Sequence, residues 1–157
     1  MYATRNDLSH NVRREMGDLL NARLADAVVL ASHAKQAHWN VRGPGFTGLH
    51  ALFDQVHAEV GTYVDDIAER AVALGVPAVG TVEAAAEASV IAPYPRDANG
   101  GEAHVDALAG SLATFARESR AAIETADRAG DAVTADLFTG VVKGADKLLW
   151  MVEAHQG

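Results

Sequence analysis

From Phe46 to Leu74 the apolar residues Phe46, Leu49, Phe53, Val56, Val60, Val64, Ile67, Ala71 and Leu74 recur at steps of three and four. A series of that period stays on one side of the chain only in an α-helix, so the stretch is one long helix with a single apolar stripe. Such a stripe must be covered, and three other stretches carry matching ones. Leu8, Val12, Met16, Leu19, Leu20, Leu24, Val28 and Ala31 predict a helix from near Asp7, where Thr4 and Asp7 have the spacing of a capping box, to about Asn40. Val105, Leu108, Leu112, Phe115, Ala122 and Ile123 predict a third from Glu102 to Arg128. Leu137, Phe138, Val141, Ala145, Leu148, Leu149 and Val152 predict a fourth from Asp131 to Ala154. Gly43, Pro44 and Gly45 break the first pair of helices, and Ala129-Gly130 breaks the second.

The segment 75–102 differs in composition, with Pro77, Pro93 and Pro95 around the alanine-rich piece Thr81 to Val90. A structureless connection of that length is uncommon inside a compact domain, so a short helix is expected over Val82 to Ser89. All 157 residues are read as one all-α domain, four long helices with 75–102 as a crossover inside it.

Composition removes several classes of function. With no cysteine, thiol catalysis, disulfides and sulfur-ligated metal sites are out, leaving His, Asp and Glu as metal donors. No apolar run approaches the ~18 residues of a membrane span, and the opening MYATRNDLSHNVRRE has no hydrophobic signal region, so the expected location is the cytoplasm. Net charge is −8, and the only lysines are Lys35, Lys143 and Lys147, with no basic tail. Tight nucleic-acid binding requires many neutralised phosphates, which this composition disfavours.

At ~100° per residue, His50, Asp54, His57, Asp65 and Glu69 share a narrower strip beside the apolar stripe of the second helix. Imidazole and carboxylate are donors that Fe, Mn or Zn accept, and His50/Asp54 and Asp65/Glu69 each place two donors one turn apart. At a rise of ~1.5 Å per residue the pairs lie roughly 16 to 22 Å apart, too far to hold one ion within a straight helix. Either they are unrelated, or a second chain unites them. An antiparallel copy related by a two-fold axis would set one subunit's His50 and Asp54 near the other's Asp65 and Glu69, giving two equivalent sites per dimer. Charged residues beside an apolar stripe are ordinarily a solvated or ion-paired face. Two pairs with three nearby histidines exceed what that face needs, and the break at 40–45 can fold His38 back toward the second helix.

The run His38-Trp39-Asn40-Val41, with Gly43, Phe46, Leu49-His50, Phe53-Asp54, Glu59, Asp65 and Ala68-Glu69-Arg70, resembles the signature of the Dps proteins, the mini-ferritins named as DNA-binding proteins from starved cells. The resemblance implies a ferritin-like bundle that assembles into a hollow homododecamer, with an intersubunit ferroxidase centre made from His38, His50 and Asp54 of one subunit and Asp65 and Glu69 of its mate. It implies oxidation of Fe²⁺ by hydrogen peroxide, two irons per site, storage of Fe³⁺ mineral in the cage, and protection against oxidative damage. Zn or Mn are possible substitutes by donor type. Many Dps proteins bind DNA through a lysine-rich extension. The alternative reading is a non-enzymatic cage that coats and protects the nucleoid, with association with the nucleoid going with it; the absence of such an extension from this sequence disfavours it.

No Glu-x-x-His motif occurs, so an intrachain two-metal core is not expected. Asp54-x-x-His57 places His57 near the same ligands, as an added ligand or a supporting group. Asp136, and after it Asp131, are the candidates for an acidic iron-entry channel, as the resemblance implies for this region; Asp131 also suits a helix cap. Trp39 adjoins the candidate site and either shields it or packs, and Trp150 is expected in core or interface packing. His33 and Lys35 fall in the last turns of the first helix, where positive charge complements the helix dipole.

Overall fold

The computed structural model describes residues 1–156, among which there are five helices and no strand. They are α1 (His10–Asn40), α2 (Phe46–Ala73), α3 (Val82–Ala88), α4 (Gly100–Ala129) and α5 (Ala132–Glu153). α1 packs along α2 and α4 along α5, and the two hairpins join through α1 against α4 and α2 against α5. Their stripes interlock in one core, where Leu20, Leu24 and Leu30 of α1, Phe53 and Ile67 of α2, Phe115 of α4 and Phe138 of α5 are wholly enclosed. Each such side chain contributes about 1.5–3 kcal/mol of burial energy.

The crossover runs the length of the bundle. α2 ends beside the start of α1, where Arg13 Nη1 donates to Leu74 O at 3.2 Å. α4 begins at the other end, where Gly101 approaches the Leu49 side chain and Pro44 O. α4 is therefore antiparallel to α1, with Arg23 reaching Glu118 and His33 reaching Ser111. Asp26, wholly buried on α1, pins the crossover: Oδ1 accepts from Ser89 Oγ at 2.8 Å and Val90 N at 2.9 Å, while Oδ2 lies 2.9 Å from Arg23 Nε. Among the described residues no helix is long and apolar enough to cross a membrane.

Two expectations need correcting. α1 starts at His10 with Ser9 as its cap, not near Asp7, because Thr4 is spent on a turn, its Oγ1 accepting from Asn6 N while Asn6 Oδ1 accepts from Leu8 N. His33 is no surface charge answering the α1 dipole. It is buried, burial pushes its imidazole pKa down, and its ring bonds Ser111 Oγ at 3.0 Å. Ser111 donates its own hydrogen to Ala107 O, so it must accept from His33 Nδ1–H.

Candidate metal centre

The break between α1 and α2 depends on two glycines. Gly43 and Gly45 have φ of 88° and 77°, a left-handed conformation that side chains resist, and they reverse the chain within five residues. The reversal lays the last turn of α1 against the first turns of α2, and His38 meets His50 there. Their rings stack with centroids 3.7 Å apart, and the Phe46 ring also stacks on His50 at 5.1 Å.

The two histidines lock each other. His38 Nδ1 lies 2.8 Å from His50 O, and His50 Nδ1 lies 2.9 Å from His38 O. A carbonyl only accepts, so both Nδ1 atoms carry hydrogen, and in the neutral ring each Nε2 keeps its lone pair. A carbonyl holding Nδ1–H is the usual support for a metal-binding histidine. His57 is held in the same way, its Nδ1 donating to Ala31 O at 2.9 Å, so its Nε2 is also an acceptor. It lines a cavity of about 570 Å³ between α1, α2 and α3 that His33 and Tyr94 also border.

Asp54 follows His50 by one turn and is exposed. It is ion-paired to Lys35 of α1. The Lys35 ammonium, aided by His38 and His57, holds the Asp54 carboxyl below its ordinary range, so it is ionised at neutral pH. Lys35 therefore serves this side chain rather than only the end of α1. Position alone could have shown it, since Lys35 precedes His38 by three residues and shares its face.

Asp65 and Glu69 lie farther along α2 and are exposed. Glu69 borders an open depression of about 530 Å³ together with Asp66, Arg70 and Asp136, so Glu69 and Asp136 face the same space. Asp131 does not join them. It is 2% exposed and caps α5, accepting from Arg70 Nη2 at 2.7 and 2.9 Å and from Thr134 N at 3.0 Å. Burial pushes its carboxyl pKa up, but the Thr134 and Arg70 hydrogen bonds outweigh that and hold it low. In this chain the Asp131 carboxylate ties α2 to α5. Trp39 is 69% and Trp150 67% exposed, so neither packs in the core of this chain.

The chain thus presents two separate donor sets on the flank of α2, one of imidazoles with a carboxylate and one of two carboxylates. Among the described residues no three or more His, Asp or Glu side chains converge on one point.

The sequence matches the family model described as a ferritin-like domain over residues 17–157. It is 40% identical over 154 residues to a DNA protection during starvation protein of Agrobacterium fabrum, covering 98% of this chain and 95% of that one. A second protein of that name, from Brevibacillus brevis, is 32% identical over 147 residues, 92% of this chain and 96% of the other. Among solved structures, the tetragonal form of Mycobacterium smegmatis Dps superposes with a TM-score of 0.92 at 31% identity, covering 98% of this chain and 93% of that one.

Proposed function

Because this chain belongs to the ferritin-like family, and within it to the DNA protection during starvation (Dps) proteins, we propose that it is a mini-ferritin subunit that oxidises and stores iron at sites shared between two chains. The observation that carries the reading is the reciprocal lock of His38 and His50, which fixes both rings with Nδ1 protonated and leaves two Nε2 lone pairs beside the ionised Asp54. In a two-fold dimer, Asp65 and Glu69 of the second chain complete each site.

Fe²⁺ is the substrate. Imidazole nitrogen retains the ferrous ion, and carboxylate oxygen favours the ferric product. Two Fe²⁺ each give up one electron, and hydrogen peroxide takes both with two protons to give two waters, so no hydroxyl radical is released. Fe³⁺ then leaves for the interior of a homododecameric cage, where it mineralises. Asp136 draws Fe²⁺ inward by electrostatic focusing and shares the depression that Glu69 borders. Zn²⁺ and Mn²⁺ would occupy the same donors without this turnover. Trp39, next to His38 and exposed, would shield the site once a second chain covers it. His57, its Nδ1 tied to Ala31 O, stands by as an added ligand or a supporting group.

The relatives' name speaks of DNA protection. For a sequence of net charge −8 with three lysines, protection follows from removing iron and peroxide, not from coating the duplex. The work is placed in the cytoplasm. The test is to add Fe²⁺ anaerobically to metal-free protein, then peroxide, and follow ferric absorbance. Fast oxidation that Asp65→Ala/Glu69→Ala abolishes is expected; oxidation no faster than in buffer would remove the function and leave the fold.

A further inference from the structure

The Asp54 carboxylate, needed for iron under the reading above, is already occupied. Lys35 lies on α1 one turn before His38, Asp54 on α2 one turn after His50, and the ammonium closes on Asp54 Oδ1. The helices fix both backbones and leave the side chains free to part: the Lys35 side chain is 27% and that of Asp54 53% exposed. An exposed pair of this kind is weak and exchanges readily with solvent. Lys35 has no other acceptor among the described hydrogen bonds, so its four-carbon stem delivers a cation to one place, the carboxylate of the imidazole-bearing donor set.

We propose that Lys35 is a built-in competing cation, a positioning residue that fills the half-site in the absence of iron and must swing away before Fe²⁺ binds Asp54. The idea rests on the iron-binding reading of the same residues. Its consequence is selectivity by charge. A monovalent ion cannot profitably replace an ammonium tethered to its carboxylate, whereas a divalent ion that also gains the Nε2 atoms of His38 and His50 can. While Lys35 stays in place, its ammonium holds the Asp54 side chain by a contact that the incoming metal must replace. The remaining charged or titratable groups that act on Asp54 are His38 and His57, and neither can substitute for the ammonium, because each ring is held to a backbone carbonyl.

The experiment is anaerobic calorimetric titration of the assembled, metal-free protein with Fe²⁺, repeated with Zn²⁺, for wild type, Lys35→Met and Lys35→Gln. Removing a unit charge a few ångströms from a dication is expected to tighten binding about tenfold and to flatten its dependence on salt. In an Asp54→Asn background the same substitution is expected to change affinity by no more than about twofold, because the competition acts through Asp54. Unchanged or weaker binding in both Lys35 variants, with assembly intact and wild-type binding still dependent on Asp65 and Glu69, would overturn the competing-cation role and leave the metal centre standing. Loss of saturable binding in the wild type itself would remove both.

Discussion

His38 and His50 each spend one ring nitrogen on the other's backbone, and the proposed iron chemistry depends on the second nitrogen that each leaves over. Replacing His50 by Ala removes a lone pair and the ring stacked on His38 but keeps the backbone carbonyl that accepts from His38 Nδ1, so Fe²⁺ affinity should fall by the loss of one ligand, about 100-fold by titration calorimetry. Asp131 shows the opposite economy, a carboxylate wholly committed to structure. Asp131→Ala should destabilise the fold by about 3 kcal/mol at pH 7, since it strips the α5 cap and leaves the half-buried Arg70 unpaired. The folded-state pKa of Asp131 is depressed, so its contribution is present above the unfolded value of about 3.9 and is lost as pH falls through the lower folded value. Denaturation curves of wild type and variant should therefore converge below about pH 4; a gap that persists in acid would contradict the assignment.

Between helices the contacts are close enough to leave no room for a methyl group at selected points. A Cβ at Gly144 of α5 would overlap Tyr63 Oη, which donates to Glu59 Oε1 at 2.8 Å, and Tyr63 stacks on Phe115 of α4. Gly144→Ala should cost about 1–3 kcal/mol in urea, and Tyr63→Phe in the same chain should recover part of it by removing the clashing oxygen. The crossover has its own anchor: Asp26→Ala should leave Arg23 with Glu118 as its only carboxylate, take the acceptor from Val90 N and speed amide exchange there ahead of the core. The long elements were legible because their apolar residues keep the helical step for many turns. α2 begins at Phe46 as expected and ends at Ala73, and α3 falls within the expected Val82 to Ser89. What was illegible is tertiary. Thr4 and Asp7 satisfy a capping pattern locally, but Asn6 competes for the same backbone. The buried His33–Ser111 bond, 78 residues apart in the chain, leaves no periodic mark in the sequence.

At the scale of the whole molecule, the two donor sets on α2 ask for a second chain, and net charge −8 sets what else the assembly will hold. A cage of about twelve 16.5 kDa chains should be seen by sedimentation. In low-salt gel shifts it should leave duplex DNA unretarded; retention that disappears with added salt would bring back a nucleoid-coating role. The fold and membership of the family could be read from the His38 to Arg70 run, while the sharing of sites between chains is an argument from helix geometry and requires its own test. The most direct is complementation. Chains carrying His50→Ala/Asp54→Ala are co-expressed with chains carrying Asp65→Ala/Glu69→Ala, and peroxide-dependent Fe²⁺ oxidation is measured on the mixed cages. Each variant alone should be inactive. In a mixed two-fold pair one site is doubly broken and the other fully intact, so random mixing should restore about a quarter of the wild-type rate. Mixed cages no more active than either parent would contradict a centre divided between two subunits.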